Sequence, residues 1–214
     1  MFNASLFIKI LPQLIVACGT TVKIAFFSTC IGLCGGTIIA FAYRSNFFMT
    51  RYLAKAYVAL VRGTPMIVQI VFFYYGLKLP FSPLVIAILA IGFNSSAYIS
   101  QVILSGIAAV DKGEIEAAYV LGFTKFQTMR FIILPQAFKI VLPALASELV
   151  TLIKDSSLAY IIGVNELFKQ SRAIMSSTYD IITLYIAVSL LYFIMTFTVS
   201  CAIDLLEKKW NKLC

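Results

Sequence analysis

Glu148, Lys154 and Asp155 interrupt an apolar stretch that runs from about Pro143 to Val164. An ionisable group at bilayer depth is costly, so all three are expected to face a bundle interior, an aqueous cavity or one another. Glu148 and Asp155 are seven residues apart, close to two helical turns, which puts them on nearly one face while Lys154 points elsewhere. Such a segment could grip a small solute that carries both an ammonium and a carboxylate. It could equally pair with neighbouring helices or mark where a helix opens onto water. Asn94, Ser95, Ser96, Ser100 and Gln101 offer the same choice between lining a path and bonding helix to helix, and the second is the safer default. Arg62, with Thr64 and Pro65 behind it, could close a gate or snorkel to an interface. The chain has no His, which removes the commonest general base and metal ligand. With no nucleophile elbow around Ser95 or Ser96 either, no enzyme, metal or other cofactor is expected.

The elements that must position these residues are membrane-like. With 61% hydrophobic residues, 12% charged residues and a mean hydropathy of +0.97, the chain has too little polar surface to coat a soluble globule. Several apolar runs reach the roughly 20 residues that span a ~30 Å hydrocarbon layer as helix, and none alternates like a membrane strand. The runs 24–43, 63–77, 84–110, 143–164 and 181–203 predict five transmembrane helices in an all-α integral membrane protein of one domain, residues 1–214. Before the first run, Phe2, Leu6, Phe7, Ile10, Leu11, Leu14 and Ile15 have amphipathic spacing, which places the N-terminus along the interface. The second run has the least certain start, because the amphipathic segment 52–61 could lengthen it. Gly32 and Gly36 make a GxxxG pair suited to close helix packing. Cys30 and Cys34, one turn apart on the same helix, read as small packing residues rather than a disulfide or metal pair.

The net charge of +8 comes from Lys and Arg scattered at the ends of apolar runs rather than gathered in a basic stripe, so nucleic acid is not an expected partner. Topology explains it better. One set of loops holds Arg44, Arg51, Lys55, Lys112, Lys125, Arg130, Lys139, Lys208, Lys209 and Lys212, and the other holds Lys9, Lys78, Lys169 and Arg172. Ten against four puts the first set, and the C-terminus, in the cytoplasm and the N-terminus outside.

Between the third and fourth runs lies a charged island at about 111–140, EIEAAYVLGFTKFQTMRFIILPQAFKIVLP from Glu114 to Pro143. A chain this apolar has little reason to keep a polar helical segment unless something outside the bilayer docks on it. Glu116, Ala117 and Ala118 open a short helix that reaches Gly122, where the chain can turn sharply. A second helical stretch runs from Thr124 towards Leu134, and Pro135 begins the next element. Acidic residues suit the first turn, the paired alanines present a shallow face, and Phe123, Phe126, Met129 and Ile133 add an apolar one.

The island's Glu-Ala-Ala, Gly122, Ile132, Leu134-Pro135 and Pro143 resemble the EAA loop of permease subunits of ATP-binding-cassette importers. Nearly the whole chain shares the likeness. Arg62-Gly63-Thr64-Pro65 with Gln69, Leu134-Pro135-Gln136-Ala137 and Lys154-Asp155-Ser156-Ser157-Leu158 are similar to signatures of the polar-amino-acid branch. It departs from that branch at Gln101, where an acidic residue is usual, at Leu104, where a basic one is usual, and at Ser147, often Asn.

The resemblance implies a type I importer permease of MetI-like architecture in a bacterial inner membrane, moving a polar amino acid such as glutamine. It implies that Glu116, Ala117, Ala118 and Gly122 form a coupling helix seated on a separate ATPase subunit, with Pro135 starting the next element. The chain has no phosphate-binding loop of its own. Other implied partners are a second permease copy or sister permease, a periplasmic or lipid-anchored receptor, and membrane lipid. The rival reading is an ion-coupled secondary transporter or channel, which uses Glu148, Lys154 and Asp155 but leaves the island without a task.

Overall fold

The computed structural model describes residues 2–211, with side chains of the last helix described as far as Leu205. The helices are α1 (Ala4–Tyr43), α2 (Phe48–Arg62), α3 (Met66–Gly76), α4 (Pro83–Ala108), α5 (Lys112–Val120), α6 (Lys125–Ile162), α7 (Leu167–Thr178) and α8 (Ile181–Asn211). Four of them, α1, α4, α6 and α8, are long and apolar enough to cross a membrane. A fifth span exists if α2 and α3, bent by 105° at their junction, are counted together.

The centre of the bundle is the parallel pair α1 and α4. A Cβ added at Gly32 would stand 2.7 Å from Ser95 Oγ, one at Gly36 2.7 Å from Ile99, and one at Gly92 2.8 Å from Ile31. The GxxxG pair therefore lets α4 approach the α1 backbone, as small residues do where lipid supplies no hydrophobic drive between helices. Ser28 Oγ donates to Ile88 O across the same seam. Helix α6 runs antiparallel to α4, with Glu148 beside Ser95 and Val141 against Gly106, and α8 returns antiparallel to α6. The first two groups of the larger basic set (Arg44 to Lys55, then Lys112 to Lys139) thus lie towards one end of the bundle, at which α8 also finishes. Asp204 is exposed at that end, while the side chains of Glu207, Lys208 and Lys209 and the whole of Lys212 fall outside the described residues.

Three boundaries differ from the sequence reading. The amphipathic N-terminal stretch is not a separate interfacial helix; it is continuous with the first span, capped by Asn3 on Leu6 N. Its apolar stripe has an internal target, since Ile10 and Leu14 are buried with Leu167, Leu184 and Val188. Between the Asn3–Thr183 bond and the meeting of Thr21 with Tyr192, α1 advances about 27 Å and α8 about 14 Å, so the two cross obliquely. Segment 48–62 forms its own helix, broken off at Gly63, and can lengthen the second run only as a limb bent by 105°.

The fourth span does not begin near Pro143 either. It is the upper part of one helix that begins at Lys125 and continues through Pro135 and Pro143. A π-turn over Met129–Ile133 precedes Pro135, and a widened turn is where a helix can take a ring that would otherwise strike a carbonyl. Cys30 and Cys34 are exposed rather than packed within the chain.

Candidate functional site

The break between α2 and α3 frees the carbonyls that end α2, and in a membrane these need partners from within the protein. Gln69 supplies them. Its Nε2 donates to Val61 O at 2.8 Å and to Thr64 Oγ1 at 2.7 Å, while Thr64 Oγ1 donates to Leu60 O. The other end of the amide, Oε1, accepts from Asn94 Nδ2 at 3.0 Å, both side chains being buried. Pro65, with no N–H to satisfy, starts α3. One glutamine therefore fixes a 105° bend and ties it to the middle of α4.

The bend makes room for a cavity of about 500 Å³ lined by Arg62, Gly63, Thr64, Pro65, Met66, Asn94, Tyr98, Glu148, Thr151 and Asp155. The Arg62 guanidinium sits 5.2 Å from the centre of the Tyr98 ring, a cation–π geometry between two residues of the cavity wall. Glu148 Oε1 accepts from Ser95 Oγ at 3.0 Å, which steers that carboxylate from the α6 side. The cavity thus sets one guanidinium against two carboxylates, with amide, hydroxyl and phenol groups between them. It is large enough for a small solute and complementary to one carrying charges of both signs.

Of the sequence-predicted residues, Arg62, Thr64, Pro65, Asn94, Glu148 and Asp155 meet at this cavity. Gln101 and Lys154 do not. Gln101 lies along α4 beside Ser100, and Lys154 faces the grooves between α6 and α8, lined by Ser147, Thr151 and Ser200 on one side and by Phe168, Tyr185 and Tyr192 on the other. Sequence reasoning missed Tyr98 and Thr151, although each falls at helical spacing from a residue it did select. Gln69 was noted only as part of a motif.

The island forms a second site at the basic end of the bundle. Asp111 caps α5 on Gly113 N at 2.6 Å. The helix ends because Gly122 takes φ +84°, with Phe123 N returning to Ala118 O and Leu121 N to Ala117 O. Thr124 and Gln127 then form a capping box that starts α6. Glu116 and Ala117 sit in the middle of α5 rather than opening it, and both are exposed. Ala118 is buried and belongs to the inner face, so the two alanines are not one shared outer surface. Ile115 packs with Val110, Ile133 and Ala137, and Glu114 accepts from the Gln136 amide, which fastens α5 to α6. Pro135 lies within α6, immediately before Gln136.

What remains outward is apolar. Tyr119, Val120, Leu121 and Phe126 are all exposed, Val120 at 88%. These apolar side chains form an exposed patch at the tip of a charged loop.

Another residue had no signal in the sequence. Glu166 is the one fully buried charged side chain among the described residues. It caps α7, accepting from Lys169 N and Phe168 N at 2.7 Å each and from Tyr192 Oη at 3.2 Å. Burial pushes its carboxyl up to about 7, although those donors and the Lys169 ammonium pull the other way.

The profile of the family described as "Binding-protein-dependent transport system inner membrane component" matches residues 32–212. The "Probable amino-acid ABC transporter permease protein YckA" of Bacillus subtilis strain 168 is 38% identical over 98% of this chain and 94% of its own length. The "Glutamine transport system permease protein GlnP" of Escherichia coli K12 is 32% identical over 89% and 91%. A solved structure, titled as an amino acid ABC transporter with histidines, superposes with a TM-score of 0.92 at 35% identity, covering 98% of this chain and 99% of the other.

Proposed function

The chain belongs to the binding-protein-dependent transport system inner membrane components, and on that premise we propose that it forms the path for a polar amino acid in an ATP-driven importer. Its relatives are permease subunits of amino-acid ABC transporters, one of them a glutamine permease, and ATP is hydrolysed by a separate subunit rather than by a chain of this kind. The bacterial inner membrane is its place. The end bearing Arg44, Lys112, Lys125 and Arg130 is cytoplasmic, as the Lys/Arg bias favours. Five spans, with α2 and α3 bent into one, give the termini opposite sides.

The observation that carries this reading is the continuity of α6. Its 38 residues make a rod of about 57 Å. Phe126 of the docking tip lies at one end, and Glu148 and Asp155 reach the cavity about 33 and 44 Å further on. Glu116, Ala117, Leu121 and Phe126 seat in an ATPase cleft, with Gly122 setting the exit angle. Displacement of the ATPases then tilts α6 and moves the two carboxylates relative to Arg62 on the bent α2–α3 unit, a rigid-body form of gating. An ion-coupled carrier would have no use for the apolar tip.

Within the cavity, Glu148 and Asp155 attract the ammonium of a zwitterion, and Arg62 its carboxylate. Asn94 and Thr151 supply neutral bonds for a polar side chain such as an amide. The cavity opens at the chain's surface, so a second copy or a sister permease completes the wall. A receptor on the other side of the membrane delivers the solute.

The test is reconstitution of the permease with its ATPase and receptor in liposomes. Labelled glutamine should accumulate only with ATP inside the cytoplasmic-side compartment. Uptake driven by an imposed ion gradient without the ATPase would sink the reading.

A further inference from the structure

We propose that Glu166 is the positioning residue of an external pivot, the fixed anchor that makes the far end of α6 rotate rather than slide when its docking end is pushed. The idea rests on the transport reading above and adds to it a fulcrum outside the path.

A lever needs a hinge and something immovable beyond the hinge, and the chain supplies both within four residues. The last turns of α6, Ser156–Ile162, tighten into a 3-10 helix and stop at Gly163, which takes φ +86°. Only glycine adopts that conformation without strain, so the rod ends in a joint. Val164 after the joint is buried with Ile24, Leu152, Ile153 and Ile162. Glu166 follows, and its two oxygens hold three donors from two elements: Oε1 takes Lys169 N, and Oε2 takes Phe168 N and Tyr192 Oη. Leu167, fully buried, donates its N–H to Thr21 Oγ1 at 3.2 Å. The start of α7 is thereby tied to α8 through Tyr192 and to α1 through Thr21. The Lys169 ammonium reaches back to Gly163 O, which latches the joint itself.

A stabilising role alone would be served by an apolar residue at this depth, because removing a carboxylate from water costs several kcal/mol. The shared oxygen is what an apolar residue cannot provide: it makes one group the common partner of α7's first turn and of α8. The charged and titratable groups around it are Lys169 and Arg172 on α7, Tyr192 on α8, Cys18 on α1 and, on α6, Tyr160 and Lys154. None is a carboxylate, so Glu166 has no like-charged neighbour to push it out of place.

The experiment uses the full complex of permease, ATPase and receptor in liposomes, and reads solute taken up per ATP hydrolysed. The wild-type ratio is compared with those of Glu166→Ala, Glu166→Gln and Tyr192→Phe, alongside the thermal stability of each. Glu166→Ala should lower the ratio roughly tenfold, as losing about one buried hydrogen-bond acceptor in a two-state equilibrium would. Glu166→Gln keeps one carbonyl oxygen for Phe168 N and Tyr192 Oη and should recover most of it. Tyr192→Phe should lower the ratio on its own and add nothing to Glu166→Ala. Ratios that stay at the wild-type value while stability falls would overturn the pivot and leave Glu166 a structural cap. A Tyr192→Phe loss that adds fully to that of Glu166→Ala would overturn it as well. If the wild-type complex itself shows no ATP-driven uptake, the transport reading fails first and the pivot with it.

Discussion

Ser95 and Glu148, 53 residues apart in sequence, share a hydrogen bond of 3.0 Å between α4 and α6. Gly32 of α1 lies against the same hydroxyl, so that a Cβ there would stand 2.7 Å from Ser95 Oγ. One small side chain thus links a close contact between α1 and α4 to a carboxylate of the cavity.

Ser95→Ala removes the donor and leaves Glu148 free to turn. A bond to a charged acceptor contributes about 1.5–3 kcal/mol, so apparent affinity for the solute should shift by tenfold or more, with the protein still inserted. Gly32→Ala should produce the same shift indirectly by displacing the hydroxyl. Uptake kinetics across solute concentrations would show it, and an unchanged KM in both variants would remove Glu148 from the path.

Gln69→Leu leaves Val61 O, Thr64 Oγ1 and Asn94 Nδ2 without their common partner. Loss of a buried bridging amide costs about 2–4 kcal/mol. Thermal unfolding in detergent should fall markedly, and an engineered disulfide or label pair across the bend should report a wider spread of distances. A variant as stable as the parent would mean that the bend is held by other contacts.

Gly122→Ala meets no steric obstacle, since nothing lies within 4 Å of the added Cβ, but φ +84° strains any L-residue by about 1–2 kcal/mol. It should weaken ATPase co-purification modestly. Gly122→Asp or Glu116→Lys should abolish ATP-driven uptake while leaving the permease inserted. Normal uptake with normal co-purification in either would count against docking at α5.

Glu148 and Asp155 face the Arg62 cavity and Lys154 does not. Asp155→Asn should therefore act through the cavity and Lys154→Ala outside it, although the two neighbouring charges attract each other. Asp155→Asn should raise KM, and Arg62→Gln should be coupled to it. An unchanged KM in Asp155→Asn would remove that carboxylate from the path.

Glu166 predicts a pH dependence of stability. Its carboxyl is raised from 4.5 to about 7 in the folded chain, so the buried arrangement is favoured by protons. That contribution is complete below pH about 4.5 and is lost as pH rises through about 7. Thermal stability of the wild type should fall from pH about 6 to 8 relative to Glu166→Gln, which has no proton to lose. Parallel pH profiles for the two proteins would show that Glu166 titrates elsewhere.

The sequence by itself determined what depends on near neighbours. Apolar run length set the spans, and capping and glycine signals set the island, with Thr124 and Gln127 closing a box and Gly122 ending α5. The 3.6-residue period put Glu148 and Asp155 on one face and Lys154 on another. These follow from local geometry, which a sequence carries in its spacing. Only the tertiary structure decided which far segments meet: that Arg62 and Asp155 line one cavity, that Gln69 holds the bend through Asn94, that Ala118 turns inward, and that α6 runs unbroken past Pro135 because a π-turn makes space for it. Glu166 shows the limit most clearly. It is an ordinary glutamate before a short amphipathic helix, and its burial depends on α1 and α8, whose partnering residues Thr21 and Tyr192 are 145 positions earlier and 26 later in the chain. Nothing in the spacing around it encodes that encounter, because burial is a property of what packs on a residue rather than of the residues beside it.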